Sequence, residues 1–457
     1  MKIHLITSKY LLVLFFFNVL NTLDSVSVNA SVTYNEIRGK ILDKETLEAI
    51  PFSNILVKNT YIGTCSNNRG EFIFYYPDSL ANRDLTISCI GYKTITLKLD
   101  SLSKTNIALI YLKPEAYKIS EITVNQNQLT ATDIIKLVIR NMHNNYPRHQ
   151  YYMEGFLRDK TFNLFDKKNV RLTETAVEIV KKEFGGENTA DRVKIFEIRN
   201  SYNYSNLGST WKEKLNQMLY GYSKVSPAYV VLQNHDFIDP SALRKLLKND
   251  LYSIKFSGMT IYDDKPVQII DIKEEYIEFM FQRTKTNIFY SLIRLYIDTE
   301  TYAILKSEYF TVTKFSPEKL EGIKFHFKQD TISNYSVKMY ENLQDKYYLK
   351  YAGYFGRMHD QPDMGDEKTL YFNETELLIT KVITNRREFD RIKHRDLLEK
   401  DTPLWNMKYV YDPSFWKNYN ILIDKPLDSS IVKDMERDTR LDEQFNDGGS
   451  KNSKLSK

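Results

Sequence analysis

Between residues 251 and 385 the chain repeats one pattern: runs of seven to twelve residues in which apolar and polar side chains mostly alternate, separated by short turn signals. The runs are 251–259, 266–272, 291–298, 302–313, 331–341, 346–356 and 376–385. Alternation with period two sends successive side chains to opposite faces, so each run predicts a strand with one face toward a core. Turns are expected at Asp263-Asp264, Asp298–Thr301 and Asn373-Glu374. Composition agrees, since 33 Tyr, 25 Phe and 3 Trp suit a pleated, half-buried surface. Tyr347, Tyr348, Tyr351, Tyr354 and Phe355 concentrate aromatic surface on one run. They read as either an aromatic binding surface or strand core packing. Segments 211–222 and 241–251 are expected helices that could cover such a sheet.

A second set of short alternating runs fills residues 34–113, with turn chemistry every eight to twelve residues, as in a small antiparallel sandwich. Residues 114–130 form a polar linker that holds one strand-like run, 119–124. A helix is expected from Asp133, because Ile135, Val138, Ile139 and Met142 share one face and Pro147 closes it. The chain thus divides into a sandwich at 34–113, a linker at 114–130, an antiparallel β domain with helices at 131–425, and a charged helix with a disordered tail at 426–457. The charged end reads as a solvated helix.

Residues 1–30 read as a secretory signal peptide: Lys2 and Lys9 precede the apolar run 10–20, and Val28-Asn29-Ala30 supplies a small-residue cleavage site. Eleven residues are too few for a bilayer, which takes about twenty. No later stretch approaches eighteen uninterrupted apolar residues, so the expected mature chain has no transmembrane segment. In an exported protein, Cys65 and Cys89 could form a disulfide or remain two buried thiols.

Several stretches carry a resemblance in order: Gly39 to Asp43, Ala49 to Lys58, Gly63-Thr64, Asn68 to Phe72 and Ile90 to Lys93. They resemble the carboxypeptidase-regulatory-like domain, which implies a seven-stranded transthyretin-like sandwich with no peptidase activity of its own. The two cysteines stand where that family more often has Ser, Thr or Tyr, so the resemblance implies no disulfide. Asn144 to Pro147, Glu154 to Arg158, Leu172 to Ala176, Tyr411 to Asn420 and Leu441 to Phe445 resemble a group of exported bacterial proteins. That group joins such a sandwich to a larger β-domain. The strand order around Asp263–Val267 and Leu295–Lys306 is similar to the curved half-barrel of periplasmic lipoprotein carriers, which implies an apolar concavity.

Catalytic constellations do not emerge from the sequence. No HExxH, Gly-x-Ser-x-Gly, P-loop, Gly-x-Gly-x-x-Gly or EF-hand pattern occurs, and the seven His form no His-x-x-Glu pair. His143 and His149 flank a turn and read as surface imidazoles. With 64 Lys+Arg against 59 Asp+Glu mixed along the chain, no basic field favours nucleic acid. The expectation is therefore a mainly β, non-catalytic binding or scaffolding protein without cofactor or metal, exported to the periplasm or outer membrane. Its large sheet would take a lipid or acyl ligand, or a periplasmic or outer-membrane protein. The alternative is a hydrolase of envelope peptide or glycan. A transporter barrel would need far more lipid-facing strands than follow residue 130.

Overall fold

The computed structural model describes residues 33–67, 69–102, 106–115, 129–181, 191–204, 226–233, 237–277, 288–313, 332–358, 371–384, 397–399, 402, 404–407, 409–417, 419 and 429–449. Nearly all of them belong to one compact unit, Asn35–Lys457. The signal-peptide segment, the run 119–124, the helix expected at 211–222 and the tail beyond 449 lie outside the described residues.

Seven short strands come first, with the short helix α1 (Leu99–Leu102) between the last two: β1 (Tyr34–Asp43), β2 (Asn54–Val57), β3 (Gly63–Cys65), β4 (Glu71–Pro77), β5 (Asp84–Ser88), β6 (Ile95–Lys98) and β7 (Ala108–Leu112). They form two sheets, β4-β1-β7 and β3-β2-β5-β6, over a core that includes Ile37, Ile41, Ile55, Phe72, Phe74 and Ile87. β7 alternates buried and exposed residues throughout, as the sequence pattern required. Its pairing with β1 is parallel. At the turn before β4, Asn67 Oδ1 accepts from the Arg69 and Glu71 amides, and Gly70 takes a φ of 72°. A Cβ there would meet the Ile41 carbonyl at 2.5 Å, so the position requires glycine.

Cys65 and Cys89 carry free thiols. Asn54 of β2 pairs with Cys65 on one side and with Ser88 on the other. Two strand spacings of about 4.8 Å therefore separate β3, which carries Cys65, from β5, which ends one residue before Cys89. A disulfide needs Cα atoms within about 7 Å, so this sheet keeps the thiols apart.

The larger sheet contains ten strands: β8 (Tyr151–Asn163), β9 (Lys168–Lys181), β10 (Arg192–Asn200), β11 (Tyr252–Tyr262), β12 (Lys265–Ile277), β13 (Ile288–Asp298), β14 (Ile304–Thr313), β15 (Ile332–Leu343), β16 (Lys346–Met358) and β17 (Tyr371–Ile383). Their order is β10-β9-β8-β17-β16-β15-β14-β13-β12-β11, every pair antiparallel. β10 and β11 are its edges, and the sheet does not close into a barrel. Asp263 and Asp264 both take positive φ, as do Gln344 and Asp345, which is the backbone of a two-residue hairpin whose twist matches the strands. Asn373 and Glu374, expected as a turn, lie inside β17 instead. Their side chains meet partners on β8: Thr161 donates to Asn373, and Lys160 pairs with Glu374 at 2.7 Å.

One face of this sheet is packed by helices α2 (Ala131–Asn145), α3 (Pro227–Gln233) and α4 (Pro240–Lys248). Thr130 and Asp133 form a reciprocal cap at the start of α2, and Ile134, Ile135, Val138 and Met142 face the core. Just past its end, the Tyr146 hydroxyl donates to the Ile304 carbonyl and accepts from the Ile304 amide, pinning α2 to β14. α4 begins at the cap Asp239 with Pro240 in its first turn, and ends three residues before the expected boundary.

The opposite face meets the sandwich and the C-terminal segment, through a core containing Phe52, Cys65, Phe156, Val337, Tyr351 and Trp416. The expected solvated helix near the C-terminus is two short helices, α6 (Ser429–Met435) and α7 (Leu441–Asn446), following α5 (Pro413–Trp416). Ile431, Met435, Leu441 and Phe445 are buried together with Leu172. Gln444 is fully buried and bonds to the Met435 and Thr439 carbonyls and the Tyr202 amide. The charges of this segment cover only its outer side.

Candidate functional site: the helix-side face of the ten-stranded sheet

Residues directly opposite each other on neighbouring strands point to the same face. One continuous row crosses all ten strands: Ile254, Ile272, Ile293, Tyr309, Ser336, Tyr354, Thr375, Asp159, Thr173 and Asn200. It begins with three isoleucines of the helix-side core and ends in hydroxyl, carboxylate and amide groups. On one side of it runs a polar row containing Glu274, Ser291, Thr311, Asn334, Asn373, Thr161 and Arg171. On the other side Ile270, Leu295, Ala352, Leu377 and Leu157 make an apolar row interrupted by Ser307 and Lys338. The boundary between wet and oily chemistry therefore runs across the whole face.

At the polar end lies a fully buried ion pair. Arg171 Nη2 sits 3.0 Å from Asp159 Oδ2, and the Thr375 hydroxyl donates to Asp159 Oδ1 at 2.8 Å. Burial works against both charges, raising the Asp159 carboxyl and lowering the Arg171 guanidinium, while each partner opposes that shift in the other. The Trp405 ring stacks on the guanidinium at 3.7 Å. Lys338, at the centre of the face, donates to the Leu232 carbonyl near the end of α3 at 2.8 Å, so its charge complements that helix terminus.

The opposite face carries a different row: Lys255, Asp271, Arg294, Glu308, Val337, Gly353, Glu376, Arg158, Glu174 and Arg199. Positive and negative side chains alternate except at Val337 and Gly353. The sandwich makes its apolar contact there, with the Phe52 and Tyr351 rings 4.9 Å apart.

The aromatic residues singled out on the sequence are not a single surface. Tyr347, Tyr348, Tyr351 and Phe355 are buried, and Tyr354 is partly buried. Tyr347 and Tyr348 join the helix-side core, whereas Tyr351 and Phe355 join the core under the sandwich. The register shift at Met339/Tyr340 leaves Lys350 as an extra residue in β16 and so changes which face the alternation serves. His143 and His149 are both exposed. Among the described residues, no group of His, Cys, Asp and Glu is arranged to hold a metal ion.

The seam between sandwich and sheet contains one titratable group of note. Asn54 Nδ2 donates to Glu341 Oε2, the Tyr262 hydroxyl lies 3.4 Å from the same oxygen, and the Gly91 amide donates to the Ile261 carbonyl at 2.7 Å. Burial pushes the Glu341 carboxyl up to about 7, with Lys350 opposing and Asp263 reinforcing. A folded carboxyl raised above its ordinary value stabilises fully at low pH, and that stability is lost as pH rises through 7. We expect roughly 2–3 kcal/mol of stability to disappear between pH 5 and 8 in the native chain. Glu341→Gln should flatten denaturant midpoints across that window; an unchanged slope would assign the loss to another group.

An open, antiparallel ten-stranded sheet packed by helices on one face and by a β-sandwich on the other defines the architecture. Residues 37–124 match the CarboxypepD_reg-like domain, so the N-terminal module is of that kind and a larger β-rich region follows it. No curated protein matches the chain by sequence. Among solved structures, the chain is similar to a LolA superfamily protein from Nitrosomonas europaea, with 9% identity, 56% of this chain and 94% of that chain covered, and a TM-score of 0.21. A domain from Vibrio parahaemolyticus named for outer membrane lipoprotein sorting gives 7% identity, coverage of 58% and 96%, and a TM-score of 0.24. MucB in complex with MucA(peri) gives 8% identity, coverage of 55% and 93%, and a TM-score of 0.14. Among the described residues, no helix is long and apolar enough to cross a membrane.

Proposed function

We propose that this chain is a non-catalytic binding protein of the bacterial cell envelope that takes an acyl-bearing ligand on the helix-side face of its large sheet. The observation that carries this reading is the cross-strand row that passes from Ile254, Ile272 and Ile293 to Thr375, Asp159 and Thr173. An amphiphile needs such a surface: apolar side chains remove the acyl chain from water, while hydroxyls and charges satisfy a headgroup. Partly buried Leu246, Leu247, Ile254 and Tyr309 border the helix-side core and offer an entry for a flexible chain. The signal-peptide pattern supports export, and the sandwich is seated on the other face, so the ligand would share the helix-side face with α2, α3 and α4.

The test is titration of delipidated full-length protein with dansyl-undecanoic acid. Saturable binding with a blue-shifted emission is expected. Ile254→Glu, at a half-buried position of the edge strand β11, should weaken it by about tenfold or more, since a carboxylate beside an acyl chain is strongly disfavoured. Absence of saturable binding by the native chain would overturn the proposal.

A further inference from the structure

At the polar end of the helix-side face, four buried atoms have no hydrogen-bond partner among the described residues: Arg171 Nε, Thr173 Oγ1, Thr175 Oγ1 and Asn200 Oδ1. They are neighbours. Arg171, Thr173 and Thr175 follow one another on one face of β9, and Asn200 of β10 is directly opposite Thr173. Buried polar groups are nearly always paired, and leaving four dry in one place would consume a sizeable part of a domain's stability. The cluster therefore calls for a partner.

The donor and acceptor inventory decides what it is. Arg171 Nε can only donate, and its Nη2 is already committed to Asp159. Asn200 Oδ1 can only accept, and its Nδ2 is already committed to the Leu404 carbonyl at 3.1 Å. The two threonine hydroxyls can do either. The occupant must accept from Arg171 and donate to Asn200, so it carries both functions on small groups. A fully deprotonated anion has no proton to give, and any anion would face the Asp159 carboxylate; an ammonium has no lone pair for Arg171. Neutral hydroxyl groups spread along the strand satisfy all four partners, since each both accepts and donates.

We infer that Arg171, Thr173, Thr175 and Asn200 form a binding niche for neutral hydroxyl groups, as carried by a sugar or glycerol headgroup or by ordered water. This deepens the acyl-ligand reading by naming the headgroup chemistry at the polar end of the same face. Its test reads stability, so the two can fail separately.

Thr173→Val keeps shape and strand propensity while deleting the oxygen. If the niche is occupied, the variant leaves the occupant short of a partner, and Tm of the full-length protein should fall by about 2 °C or more. Thr173→Ser should restore it, and Thr175→Val should repeat the fall. A rise in Tm for both valine variants would mean that the hydroxyls are truly dry, and would overturn the inference. Methyl β-glucoside and glycerol then distinguish the sources: a probe that raises Tm of the native chain but not of Thr173→Val assigns a polyol, and no probe response alongside the fall assigns water. Loss of dansyl-undecanoic acid binding in the native chain with the Thr173→Val fall intact would remove the acyl reading and leave the niche standing.

Discussion

Glu174→Ala is expected to lower the unfolding free energy by about 3–5 kcal/mol, because it strands the buried Arg158 and the partly buried Arg199. Arg158 donates to Glu174 Oε1 through Nε at 2.8 Å and Nη2 at 2.6 Å, and Arg199 donates to Oε2. Glu174 and Arg158 are essentially inaccessible to water. Burial raises the Glu174 carboxyl, but Arg199 and Arg158 together hold it below the ordinary value. A carboxyl lowered in this way stabilises above the ordinary carboxylate range, and the contribution is lost as pH falls through the folded pKa. Urea denaturation at pH 7 measures the loss, and the variant should also lose part of the native chain's acid sensitivity. Replacing the whole cluster, as Arg158→Met and Arg199→Met with Glu174→Leu, should recover much of the stability, since breaking a buried ionic cluster costs more than removing it. A loss below about 1 kcal/mol for Glu174→Ala would mean that water reaches the ladder.

Tyr351→Ala should be nearly as damaging, at about 3–5 kcal/mol, for two separable reasons. Its ring is fully buried between sheet and sandwich against Phe52, and its hydroxyl donates to Glu376 Oε1 at 2.8 Å. Tyr351→Phe isolates the second, at about 1–3 kcal/mol for a buried carboxylate deprived of a donor. Phe52→Ala combined with Tyr351→Ala should fall short of the sum of the single losses, because each removes the same ring contact. The checking measurement is a double-mutant cycle by chemical denaturation. Strict additivity would place the sandwich off the sheet in solution. A Tyr351→Ala variant with native stability but weakened ligand binding would return this residue to a binding surface.

What the sequence disclosed follows from burial geometry. β11–β17 were legible because most of their runs alternate, and α2 was legible because its apolar residues recur at helical spacing before Pro147. β8 and β9 were not, since both of their faces are covered and nearly every residue is buried, charged ones included. Buried Arg158, Asp159, Arg171 and Glu174 look like solvated loop residues until their cross-strand partners are known. The cross-strand rows were illegible for a further reason: they depend on register, and Thr375 meets Asp159 across 216 positions of chain. Asn373 and Glu374 misled because local turn preference is weaker than two strand neighbours. Near the C-terminus, dense charge concealed Ile431, Met435, Leu441 and Phe445, which bury a short helical pair against Leu172. The period-two signal that could have exposed the niche is the run Arg171, Thr173, Thr175, polar on every second residue of one strand.

Whether an amphiphile occupies the helix-side face is answered most directly by native mass spectrometry of the full-length chain purified without detergent. Co-purifying acyl-bearing mass that leaves on organic extraction, and returns on incubation with phospholipid vesicles, is the predicted result. A clean apo mass that stays unchanged after that incubation would contradict the assignment.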